Sequence, residues 1–115
     1  MSAVEHLNPL QFRTLYHGTN PSGLEHIQEH GLSAPEGVMP SRWPMLTDSK
    51  EQASQYAHGG PVVEYHIPEA QTDYRHPQGL LWPGVDHDVY GHAAKAYGVK
   101  GTIPSTYIAK VHPGA

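Results

Sequence analysis

The residues with the most chemistry in their order are Leu15-Tyr16-His17-Gly18-Thr19. An imidazole, a position without a side chain and a hydroxyl follow one another at the end of an expected strand. A histidine placed there can donate a hydrogen bond to a sugar hydroxyl. A glycine beside it lets a flat amide approach backbone N–H and C=O groups closely. Downstream, Tyr56 offers a ring that can stack on a planar group, and Met45, eleven residues earlier, offers a soft apolar contact.

Positioning these groups requires short elements. Phe12 to Tyr16 alternates as a strand. Asn20 suits a helix cap and Pro21 the first helical position. Leu24 and Ile27 share a face, and Gly31 is a stop. Residues 33–44 form a Pro/Gly loop of functional length. Met45-Leu46-Thr47 reads as a strand. Asp48 and Glu51 make a capping box for a helix over about 49–58, with Ala53, Tyr56 and Ala57 inward. Val62 to Ile67 is a strand stopped by Pro68, and residues 69–86 read as loop. Val89 to Tyr97 is expected to be a short helix, with strands at Val99–Ile103 and Tyr107–Val111. These elements predict an α+β domain with a small split or twisted, antiparallel-rich sheet and two or three short helices. The division is a lead-in over 1–11 and one domain over 12–115.

Composition bounds the function. A chain of 115 residues supports one small core. Its 12 glycines and 11 prolines favour short elements over a helix bundle. The net charge is −4 and the seven basic residues are scattered, which argues against a grip on duplex nucleic acid. With no cysteine there is no disulfide scaffold, zinc-thiolate site or thiol nucleophile. No apolar run reaches the ~20 residues of a membrane span, and the first residues lack signal-peptide character. A cytoplasmic protein is the expectation.

His26-Ile27-Gln28-Glu29-His30 fits H-x-x-E-H, which can present two histidines to zinc from one helical face. The short helix, the absence of a third ligand at a recognisable spacing and the ten histidines of the chain make this a chance pattern. No metal is expected.

Leu15-Tyr16-His17-Gly18-Thr19, with Ile27 and Gly31-Leu32 downstream, resembles the first motif of the ADP-ribosyltransferase superfamily. The resemblance extends over about residues 12–111. It implies NAD as co-substrate, with His17 holding a ribose, Gly18 binding the nicotinamide amide through its backbone and Thr19 supporting the pocket. Tyr56 matches the helix-borne aromatic of the second motif, and Met45 stands where a tyrosine is usual. The family's late acid stabilises the oxocarbenium-like cation formed as nicotinamide leaves. The stretch about Ala93 to Tyr97 holds no such acid. Rifamycin-inactivating members carry an aspartate shortly after a Val-Val-Glu strand, and Asp73 follows Val62-Val63-Glu64 in the same way; Asp88 is the second choice. The resemblance thus implies an NAD-dependent ADP-ribosyltransferase of bacterial or phage type. Its acceptor would be a small molecule, a nucleic-acid base or a protein. Two alternatives share the fold. One is an inactive module binding NAD, ADP-ribose or a nucleotide. The other is an RNA 2′-phosphotransferase-like enzyme, in which Arg13 and Arg42 would hold a phosphate.

Overall fold

The computed structural model describes residues 11–33, 44–89 and 92–114. Its order is β1 (Phe12–Gly18), α1 (Pro21–His30), β2 (Leu32–Ser33), β3 (Met45–Thr47), α2 (Lys50–Ala57), β4 (Val62–Pro68), β5 (Val85–Val89), β6 (His92–Gly98), β7 (Thr102–Ile103) and β8 (Ile108–His112). Single 3-10 turns at Glu69–Thr72 and Ser105–Tyr107 precede the long loop and β8. Six strands form one sheet in the order β5-β6-β3-β1-β4-β8, and β2 pairs with β7 apart from it. Every pairing among the described residues is antiparallel. The α+β class and the split antiparallel sheet expected from the sequence are present, with two α-helices among the described residues.

The two sides of the sheet differ because side chains alternate along a strand. Leu15, Val63, Tyr65 and Ile67 lie on one side and join Leu46, Tyr97, Val99, Leu81, Ile103 and Ile27 of α1 in the core. α2 packs over the other side, above Gly18 and Val62. A Cβ on Gly18 would lie 2.0 Å from the Ala53 carbonyl oxygen, so only glycine lets the helix come this close. α1 starts as its sequence predicts: the Asn20 side chain accepts from Gly23 N at 2.7 Å and Pro21 opens the helix. It ends at Gly31, whose φ of +80° suits a residue without Cβ and whose N–H bonds the Ile27 carbonyl.

Several local expectations fail. Ser49 and not Asp48 caps α2, its hydroxyl accepting from Gln52 N at 3.2 Å, while Asp48 Oδ1 accepts from Lys95 N at 2.8 Å. Tyr56, expected to face inward, is exposed. Val89 to Tyr97 is not a helix: β5 and β6 form a hairpin paired from Val85↔Ala96 to Val89↔His92. Alanine and lysine favour helix locally, but β6 also pairs with β3 from Met45↔Gly98 to Thr47↔Ala96. Buried Ala94 and Ala96 alternate with exposed Lys95, a period of two that serves a sheet. The strand expected at 99–103 shrinks to Thr102–Ile103, with Val99 in an isolated bridge to Leu81. Among the described residues no helix is long and apolar enough to cross a membrane.

Candidate functional site

β1 pairs with β4 along its whole length, from Phe12↔Pro68 to Gly18↔Val62. Its other neighbour, β3, meets it at one position, Tyr16↔Thr47. Beyond that rung the strands part, and a cleft of about 160 Å³ opens there, lined by His17, Gly18, Met45 and Tyr56. The four residues come from β1, β3 and α2, so residues far apart in the chain converge on one cleft. A cavity of about 150 Å³ takes a benzene ring, so this cleft suits one six-membered ring.

His17 bridges the parted strands. Its Nδ1 donates to the Met45 carbonyl at 2.9 Å, because a carbonyl can only accept. That bond leaves Nε2 for a ligand. Burial lowers the His17 pKa, and the bond to Met45 partly opposes the shift. The imidazole is therefore neutral at neutral pH, and Nε2 presents a lone pair, so it accepts a hydroxyl proton where the sequence led to the expectation of a donor.

Tyr56 is 50% exposed, a large apolar surface left over the cleft mouth. Behind it lies a polar pair that sequence reasoning missed: Thr47 and Gln52, both nearly inaccessible. Thr47 Oγ1 donates to Gln52 Oε1, and Gln52 Nε2 donates to the Tyr56 hydroxyl at 3.4 Å. The signal was there, since Gln52 stands one helical turn before Tyr56 and faces the strand side of α2.

Other sequence candidates lie elsewhere. Thr19 does not line the cleft; its N–H bonds the Pro61 carbonyl at 3.0 Å and its hydroxyl lies against Gly23. Asp73 follows the turn at the Phe12 end of β1, and Phe12 and His17 are separated by about 17 Å of extended strand. It accepts from the Arg75 backbone at 3.0 Å and from Arg75 Nε at 3.2 Å. Those bonds hold its carboxyl below the usual range. Asp73 lines a different opening of about 480 Å³ with Arg13, Glu69, Ala70, Thr72 and Tyr74. Asp88 is on β5, opposite Ala93, on the outermost strand of the sheet and three strands away from β1. The cleft lining carries no carboxylate among the described residues.

Arg13 is paired with Glu69 at 3.3 Å and donates to the Tyr97 hydroxyl, at the Asp73 opening. Arg42 lies outside the described residues. His26 and His30 are exposed with ring centroids 4.9 Å apart. Among the described residues no group of three or more histidine, aspartate or glutamate side chains could hold a metal ion.

Comparison with protein-family models, curated proteins and solved structures returns no match.

Proposed function

We propose that the chain binds NAD at the His17–Tyr56 cleft and acts as an NAD-dependent ADP-ribosyltransferase, cleaving the nicotinamide–ribose bond and passing ADP-ribose to an acceptor. The observation that carries this reading is the convergence of His17, Gly18, Met45 and Tyr56 on a cleft sized for one ring. The nicotinamide ring would lie against Tyr56 and Met45. Its amide would meet the Gly18 backbone, and a ribose hydroxyl would donate to His17 Nε2. NAD would supply a glycosidic bond activated by the pyridinium charge, and the leaving group; the chain's residues orient it and keep the imidazole neutral.

A second reading is favoured by one specific observation: the described cleft lining lacks a carboxylate to stabilise an oxocarbenium-like cation. In that reading the domain binds NAD or a nucleotide without turnover. Incubation with NAD and quantification of free nicotinamide separates the two. Nicotinamide release that is lost in His17→Ala supports the enzyme. NAD-induced thermal protection without release supports the binding module. Neither release nor protection overturns both.

A further inference from the structure

The hydrogen bonds behind Tyr56 run in one direction. Ser49 N–H donates to Thr47 Oγ1 at 3.1 Å. The Thr47 hydroxyl donates its own proton to Gln52 Oε1. The NH₂ end of the Gln52 amide faces Tyr56, whose oxygen accepts from Nε2 at 3.4 Å. Tyr56 is the last member. Its oxygen has received a proton, so its own O–H is free to donate outward.

We infer that Gln52 is a specificity-determining positioning residue that makes Tyr56 a hydrogen-bond donor to ligand, so that the cleft selects planar rings carrying an acceptor oxygen over rings of the same shape without one. The inference rests on the cleft being the ligand site of the proposed function and adds a rule of selection to it. The chain is shielded where it matters, since Thr47 is 1% and Gln52 4% exposed, and water does not compete for the inner links. The outer link ends on a half-exposed ring at the cleft mouth. Stacking alone is tolerant of ring substituents. A donor held at the ring's edge is not, because a ligand lacking the acceptor leaves it unsatisfied.

The test compares nicotinamide with 3-methylpyridine, which has the ring but no carbonyl, by NMR titration of the full chain at pH 8. Wild type is expected to prefer nicotinamide by about three- to tenfold, the worth of one hydrogen bond. Tyr56→Phe keeps the ring and loses the proton, and the preference should fall to near unity. Gln52→Glu is the decisive variant. An ionised carboxylate only accepts, so Thr47 and Tyr56 both donate to it and the tyrosine proton turns inward. The preference should collapse as in Tyr56→Phe, with the Tyr56 ring still present. Retention of the preference in a folded Gln52→Glu overturns the inference, as does equal binding of the two probes by wild type. A ligand-free reading keeps the chain itself testable if Gln52→Glu does not fold. The Gln52 side-chain amide resonance should move in Tyr56→Phe, and an unmoved resonance overturns the chain. Failure of wild type to bind either probe or NAD, with that resonance moving, overturns the assigned ligand and not the direction of the chain.

Discussion

His17 Nδ1 and the Met45 carbonyl oxygen lie 2.9 Å apart across a gap where β1 and β3 no longer pair. The bond does two things at once. It closes the seam between the strands and it fixes the imidazole tautomer, so that the ring's remaining nitrogen belongs to the cleft. Burial makes protonation of this ring unfavourable, and the sign of the consequence can be worked out. The folded pKa is below the ordinary 6.5, so the unfolded chain binds the proton more readily. Stability is full above pH 6.5 and falls as pH drops from there through the folded pKa. His17→Gln should flatten that part of the profile. Urea denaturation of both proteins at pH 7.5 and 5.5 checks it, the wild type losing more on acidification.

Gly18 and Gly59 should respond to alanine for different reasons. A Cβ at Gly18 meets backbone atoms of Ala53 and Ala57 at 2.0 and 2.8 Å. Neither can swing aside, so α2 must shift. A cost of about 3 kcal/mol, at the upper end for overpacking, is expected. A Cβ at Gly59 meets nothing within 4 Å, but its φ is +86°. There the cost is conformational, about 1–2 kcal/mol. Denaturation midpoints measure both, and a lost cleft, read by NAD protection, should accompany only Gly18→Ala.

Glu64 joins three parts of the sheet. His112 Nε2 approaches it at 2.8 Å and His66 Nε2 at 3.4 Å, while Tyr16 and Lys110 pair with it across the neighbouring strands. The bond from His112 is the main reason its carboxyl is held below the ordinary 4.5. Its contribution is present above pH 4.5 and is lost as pH falls through the folded value. Glu64→Gln should lower stability at pH 6 by about 1–3 kcal/mol and remove part of the acid limb. Guanidinium titrations at pH 6 and 3.5 test both effects.

Tyr65 is fully buried, and its hydroxyl has no hydrogen-bond partner among the described residues. Burial raises its phenol pKa. Removing an unsatisfied hydroxyl relieves its desolvation cost. Tyr65→Phe should therefore be neutral or stabilising by about 1 kcal/mol, whereas Tyr65→Ala should cost several kcal/mol by opening a cavity. Thermal unfolding of the two variants decides.

How much of this was legible in the chain depended on whether the signal was local. Asn20, Pro21 and Gly31 state where α1 begins and ends without help from the rest of the fold. Val62 to Ile67 is apolar enough to be a strand anywhere. The stretch from His92 to Gly98 is not: short and holding three alanines, it is a strand because β3 and β5 lie beside it. The cleft residues could be named because one motif and one spacing carried them. Distance along the chain from Val62-Val63-Glu64 does not place Asp73 at the cleft, because β4 ends beside Phe12 and not beside His17. Gln52 shares a helical face with Tyr56, but its burial follows only from the packing of α2 on Thr47.

The lone rung between Tyr16 and Thr47 has a kinetic consequence. It divides the large sheet into two three-stranded ribbons, β5-β6-β3 and β1-β4-β8, each with its own continuous ladder. β5 and β6, close in sequence, pair with each other, while joining the ribbons needs contacts distant in sequence, so the seam is expected to set late in folding. A molecule seated in the cleft touches both ribbons and has nothing to hold until they meet. It should therefore slow unfolding while leaving the folding rate almost unchanged, so that occupancy is recorded as lifetime of the folded state.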